Sequence, residues 1–202
     1  DLAMGDITEF KYGLYLAEQF RYGDIDNFEY QVSGFSWNGE APLDTAEAVV
    51  FVDNHDNQRS HYFYPAYDAH VLTHKLDMEN NQYVLGNVFM LAWPYGRPRV
   101  MSSYDFDNKN QGPPTEDDAD LWNTDAVTDA TCSTPEDEGN WNKWICEHRW
   151  TPIAGMVGFH NAVQGTDVDW AEELNASDNQ IAFHRGNQGF VAINNTGSVL
   201  NL

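Results

Sequence analysis

Hydrophobic and polar positions change period several times along the chain, and the changes mark out its elements. DITEF (6–10) is short enough for a strand, and KYGLYLAEQFRYG (11–23) follows with helical spacing and a closing Gly23. AEAVVFV (46–52) is a nearly unbroken apolar run with three valines, the pattern of a parallel strand covered on both faces. Within HKLDMENNQYVLGNVFMLAW (74–93), Val84, Val88, Leu91 and Ala92 recur at helical spacing, and Pro94 ends the run. RPRVMSSYDF (97–106) reads as another strand. WTPIAGMVGFHNAV (150–163) predicts a helix with Ile153, Met156 and Val157 on one face.

The tail changes character. NQIAFHR, GNQG and FVAINN form a hairpin signal, with glycine at both ends of the turn. The pattern is therefore α/β: about three βα units, then the opening of an all-β domain. Three units cannot close a barrel, and as an open parallel sheet they would leave bare edges. The expectation is the C-terminal part of a (β/α)8 TIM barrel over residues 1–165, with a truncated all-β domain beginning at 166–202. The N-terminus, DLAMGDITEFKYG, has neither a signal peptide nor a start methionine, which suggests a chain that begins inside a larger enzyme.

Charge narrows the partners. With 32 acidic and 10 basic residues the net charge is −22, a surface that repels phosphate backbones and makes nucleic acid an unsuitable partner. Such self-repulsion suits a salty medium, where screening over ~10 Å weakens it. No run reaches the ~18 apolar residues of a membrane span. The two cysteines, Cys132 and Cys146, enclose STPEDEGNWNKWI. Free thiols are one reading; a disulfide is favoured, because closing a loop of this length stabilises by roughly 3 kcal/mol, and it implies an oxidising, extracellular compartment.

FVDNHDNQR (51–59) is the stretch that carries chemistry. Asp53, Asn54, His55 and Asp56 leave the apolar strand 46–52 at its C-terminal end, where (β/α)8 enzymes place catalytic groups. The plain alternative is an Asx-type turn in which Asp and Asn cap backbone groups.

FVDNHDNQR resembles the motif after the seventh barrel strand of the α-amylases of glycoside hydrolase family 13. TEFKYG (8–13), FML and PYG (89–96), RVMSSY (99–104), GPP (112–114), CEHRW (146–150) and RGNQGFVAINN (185–195) resemble its animal-type, chloride-dependent branch, in order. The resemblance implies retaining endo-hydrolysis of α-1,4 bonds in starch, glycogen and malto-oligosaccharides by a secreted, monomeric enzyme. Asp56 matches the third catalytic carboxylate, which stabilises oxocarbenium-like charge on a distorted sugar. His55 matches a histidine on the same ring, and His61 aligns with a substrate-binding histidine. Asn54 and Arg99 match chloride ligands; a guanidinium supplies the permanent charge and directed donors that an anion needs. Asp53 takes a supporting role. The nucleophile and general acid belong upstream of Asp1, and the family's calcium ligands also lie outside this segment, which offers no metal site of its own.

The chain departs from the family after Arg59. A glycine-rich mobile loop is replaced by SHYFYPAYDAH, whose aromatics at 62–67 either pack on the protein or stack on sugar faces. The 13-residue insert between the cysteines is long for the family. His70 and His74 read as surface or helix-start residues. The acidic run 116–120 lacks EF-hand spacing and reads as a solvated loop. Asn175 and Asn194 head glycosylation sequons. Two other functions compete: a metal-dependent barrel hydrolase with Asp53, His55, Asp56 and His61 as ligands, and a truncated, non-catalytic carbohydrate-binding homologue.

Overall fold

The structure, a computed structural model, describes residues 5–30, 41–63, 71–75, 81–114, 131–134, 136, 144–171 and 178–200, with side chains described for all of these except 29, 30 and 60–63. Strand β2 (Ala48–Val50) lies between β1 (Ile7–Thr8) and β3 (Arg97–Pro98) in a parallel sheet. Ile7 pairs with Ala48, and Val49 with Arg97. Helix α1 (Phe10–Tyr22) crosses from β1 to β2, while α2 (His55–Phe63) and α3 (Gln82–Ala92) lie between β2 and β3. β2 is central, which is why its apolar run continues through the buried Phe51 and Val52.

Helix α1 turns Tyr12, Leu16 and Phe20 inward. Gly13 brings its backbone against the chain leaving β2, where a Cβ would meet the Val52 and Phe51 carbonyl oxygens at 2.6 and 2.8 Å. Helix α3 is apolar nearly all round because it is covered on several sides. Its Phe89 stacks on Phe28 and Trp93, with ring centroids 4.1 and 5.2 Å apart.

A second sheet follows α4 (Thr151–Ala162): β4 (Val168–Trp170), β5 (Gln180–Arg185) and β6 (Gly189–Asn194), antiparallel in that order. The expected hairpin is β5–β6, with Arg185 opposite Gly189. Phe183 on β5 meets Trp93 edge-on at 5.7 Å and thereby joins the second sheet to α3. Arg185 is buried and donates to the carbonyls of Ala92, Val163 and Thr166. One guanidinium thus ties the ends of α3 and α4 to the hairpin.

Three expectations need correction. Residues 97–106 were to be one strand, but β3 stops at Pro98. Beyond Arg99 the backbone turns toward residues 144–147: the Ile145 amide donates to the Ser103 carbonyl (3.0 Å), and the Ser103 amide donates to Glu147 (2.8 Å). In α4, Ile153 is buried and Met156 packs on the core, but Val157 is 41% exposed; the inward stripe runs on through Phe159 instead. The helix expected from residue 74 begins at Gln82, after a left-handed Asn81.

Candidate active site

The Asp53–Asp56 segment is built by a helix start that periodicity did not reveal. The Asn54 carboxamide oxygen accepts from the amides of Asp56 and Asn57, both at 2.9 Å, and Asn57 returns the contact by accepting from the Asn54 amide at 2.7 Å. This reciprocal cap supplies partners for donors that a helix start leaves unpaired. The Asx-type capping foreseen as the plain alternative is therefore real, and it coexists with exposed chemistry. His55 and Asp56 occupy the first turn of α2, their side chains 73% and 79% exposed and 3.3 Å apart. The positive end of the helix favours the Asp56 carboxylate.

Asp53 points the other way. It is buried and accepts from the Gln58 side-chain nitrogen Nε2 at 3.2 Å. The same Gln58 nitrogen lies 3.0 Å from His74 Nδ1, which is 2.9 Å from Glu147 Oε1. Ser103 donates to Glu147 twice, from its amide to Oε2 at 2.8 Å and from its hydroxyl to Oε1. His74 is fully buried, which corrects its reading as a surface residue: the segment 71–75 passes under α2, and the ring meets a carboxylate there. Burial alone would raise the Glu147 carboxyl, but the His74 hydrogen bond and charge and the two Ser103 hydrogen bonds bring it below the ordinary glutamate value.

Arg99 stands one strand over. Its amide donates to the Val50 carbonyl at 2.8 Å, so the residue follows β3 at the same sheet end as Asn54 and Asp56. Its side chain is exposed, not enclosed as a buried anion site would have it; Nη1 reaches the Pro98 carbonyl at 3.3 Å. Among the described residues it pairs with no carboxylate, and Asn54 keeps its amide nitrogen when its oxygen caps α2. Those donors suit an anion.

Arg59, also on α2, lies 5.1 Å from the ring centroids of both Tyr104 and Phe106 and donates to the carbonyls of Lys109 and Gln111. It clamps the segment after β3 onto α2.

The structure thus gathers Asn54, His55, Asp56 and Arg99 at one end of the parallel sheet. His61 lies on α2, but its side chain falls outside the described residues, as do His70, residues 64–67, the run 116–120 and Asn175. Cys132 and Cys146 form a disulfide. No three His, Cys, Asp or Glu side chains converge to hold a metal among the described residues, and no described helix is long and apolar enough to cross a membrane. Gln58, His74, Ser103 and Glu147 were missed as a group. RVMSSY and CEHRW marked Ser103 and Glu147 as part of a resemblance, but nothing in the sequence pairs them with His74.

Residues 170–202 match the family model described as "Alpha amylase, C-terminal all-beta domain". An α-amylase of Tenebrio molitor is 41% identical over 199 residues, which cover 96% of this chain and 36% of that relative. Over nearly its whole length the chain is similar to part of an α-amylase. The crystal structure of wild-type α-amylase I from Eisenia fetida aligns over 96% of this chain and 37% of its own, at 36% identity and TM-score 0.73. A mutant of that enzyme in complex with maltohexaose aligns at 35% identity and TM-score 0.71 over the same shares. The chain therefore spans little more than a third of the length of the relatives it matches.

Proposed function

We propose that this chain contributes part of the active site of an α-amylase that hydrolyses internal α-1,4 bonds of starch, glycogen and malto-oligosaccharides with retention. The observation that carries the proposal is the placement of Asp56: an exposed carboxylate in the first turn of α2, beside His55, at the carboxyl end of the central parallel strand. Barrel enzymes react at that end. Residues 1–165 are assigned to the C-terminal part of a (β/α)8 barrel, and residues 166–202 to the start of its β domain.

Asp56 acts as the third carboxylate. It accepts hydrogen bonds from sugar hydroxyls and faces positive charge as it develops at the anomeric carbon. His55 donates to the same ring, and His61 to a neighbouring one. Nucleophile and general acid, which a retaining mechanism holds about 5–5.5 Å apart, come from outside these 202 residues. The Asn54 amide nitrogen and the Arg99 guanidinium would hold chloride. When bound, that anion tunes the general acid electrostatically; in this chain Arg99 fixes the charge and Asn54 couples it to the α2 cap. Calcium would take its ligands from residues outside this chain. Secretion fits the disulfide, which persists in oxidising compartments, and a monomer suffices for the mechanism.

The test is the anomer first released from maltohexaose, observed by proton NMR. The α-anomer accords with retention by an α-amylase; first release of the β-anomer, or no hydrolysis by the intact protein, overturns the assignment.

A further inference from the structure

We propose that the buried His74–Glu147 pair positions the Asp53–Asp56 segment, acting through the Gln58 carboxamide. The proposal rests on the α-amylase reading for its consequence in catalysis, but its geometry stands apart from that reading.

Five polar side chains meet here from five places in the chain: Asp53 after β2, Gln58 on α2, His74 in the segment 71–75, Ser103 after β3, and Glu147 in the 3-10 turn before α4. None is more than 3% exposed. Polar groups this deep are costly unless each finds a partner, and once satisfied they allow little freedom. Glu147 is held by three donors, the Ser103 amide, the Ser103 hydroxyl and His74. The carboxylate fixes the imidazole. With Nδ1 donating to Glu147, the imidazole offers Gln58 no hydrogen bond; it packs against the end of Gln58, 3.0 Å away, and confines the carboxamide, which donates to Asp53 on its other side.

Gln58 is where the pair reaches the site. At 3.6 residues per turn, residues two apart on a helix point about 200° apart. Holding Gln58 inward therefore aims Asp56 outward. The Gln58 amide also donates to the Asn54 carbonyl at 3.0 Å, so the anchored side chain and the helix cap sit on the same turn. Tyr83 closes the cluster with its ring edge-on to His74 at 6.3 Å. Burial, and then the Asp53 and Glu147 carboxylates, push its phenol well above the ordinary value, as expected where both negative charges face one small enclosed space.

Gln58→Met removes the carboxamide at nearly constant volume and leaves His74, Glu147 and Ser103 in place. In the intact protein, hydrogen–deuterium exchange of the 51–59 amides should quicken about tenfold, while exchange in α1 and β6 stays as in the parent. On maltohexaose, kcat should fall about tenfold, with KM within about twofold, since small displacements of a reacting group act on the chemical step. His74→Phe should move both readouts further in the same direction; if it fails to fold, Gln58→Met decides alone. Unchanged exchange at 51–59 in folded Gln58→Met overturns the proposal, as does faster exchange with undiminished kcat. If the parent hydrolyses nothing while exchange still responds, the α-amylase reading fails and the positioning role stands.

Discussion

The Arg99 amide donates to the Val50 carbonyl at 2.8 Å, which sets the arginine level with the chain that leaves β2 for Asp53–Asp56. β3 ends at Pro98, so this is the last ladder bond between the two strands before the backbone turns away toward Ser103 and Glu147. The cation is thus delivered to the carboxyl end of the sheet by the register of the strands, and the carboxylate by the helix cap. Two independent local structures converge on one edge.

If that edge holds an anion, removing the cation removes the response to it. Arg99→Gln in the intact protein should lower activity at neutral pH by about tenfold or more, equivalent to about 1.4 kcal/mol or more in the barrier, and abolish activation by chloride. Assays in chloride-free buffer with graded sodium chloride check this. Undiminished chloride dependence in the variant contradicts the role given to Arg99.

Gly13 tests how α1 supports the same edge. A methyl group there would press on the Val52 and Phe51 carbonyl oxygens, which are backbone atoms and cannot swing aside. Gly13→Ala should destabilise by about 1–3 kcal/mol, the usual range for overpacking, despite the better helix propensity of alanine. The midpoint of a urea titration measures it; an unchanged or raised midpoint means that α1 stands further from β2 than described.

Acid should find Glu147. Its folded-state pKa lies below the ordinary value, so its contribution to stability is complete above about pH 4.3, the unfolded glutamate value, and is lost as the pH falls through the folded one. Glu147→Gln should cost about 3–5 kcal/mol near neutrality, because it leaves one partner of a buried pair alone. The gap to the parent should narrow below about pH 4.3 as the parent loses the same charge. Urea unfolding from pH 7 to pH 3 gives both curves; a gap constant across that range contradicts the charge assigned to Glu147.

Much of this was legible along the chain. The run AVVFV announced a central strand, FVDNHDNQR announced a polar exit from it, and GNQG between two alternating segments announced the hairpin. What escaped was set by distant partners. RPRVMSSYDF has strand composition, yet a buried carboxylate at Glu147 draws its Ser103 amide off the sheet. His74 looks like any polar residue near a helix start until the chain brings Glu147 to 2.9 Å. Helix α2 hid because its inward and outward residues, Gln58 and Asp56, are both polar; a hydrophobic period cannot report a helix whose buried face is a hydrogen-bond network. In α4, Val157 carried the right chemistry for a core position but lies off the stripe that Ile153 and Phe159 follow.

The central claim is that Asp56 meets the sugar and Asp53 does not. The most direct measurement is kcat on maltohexaose for Asp56→Asn in the intact protein, alongside its melting temperature. Its side chain is largely exposed and, among the described residues, is joined only to the equally exposed His55, so the fold should be nearly indifferent, with the melting temperature moving by no more than about 2 °C. Loss of a preorganised electrostatic group should lower kcat by about 10²–10³-fold. A variant that melts with the parent and keeps kcat within a few-fold of it would contradict the account and remove Asp56 from the reaction.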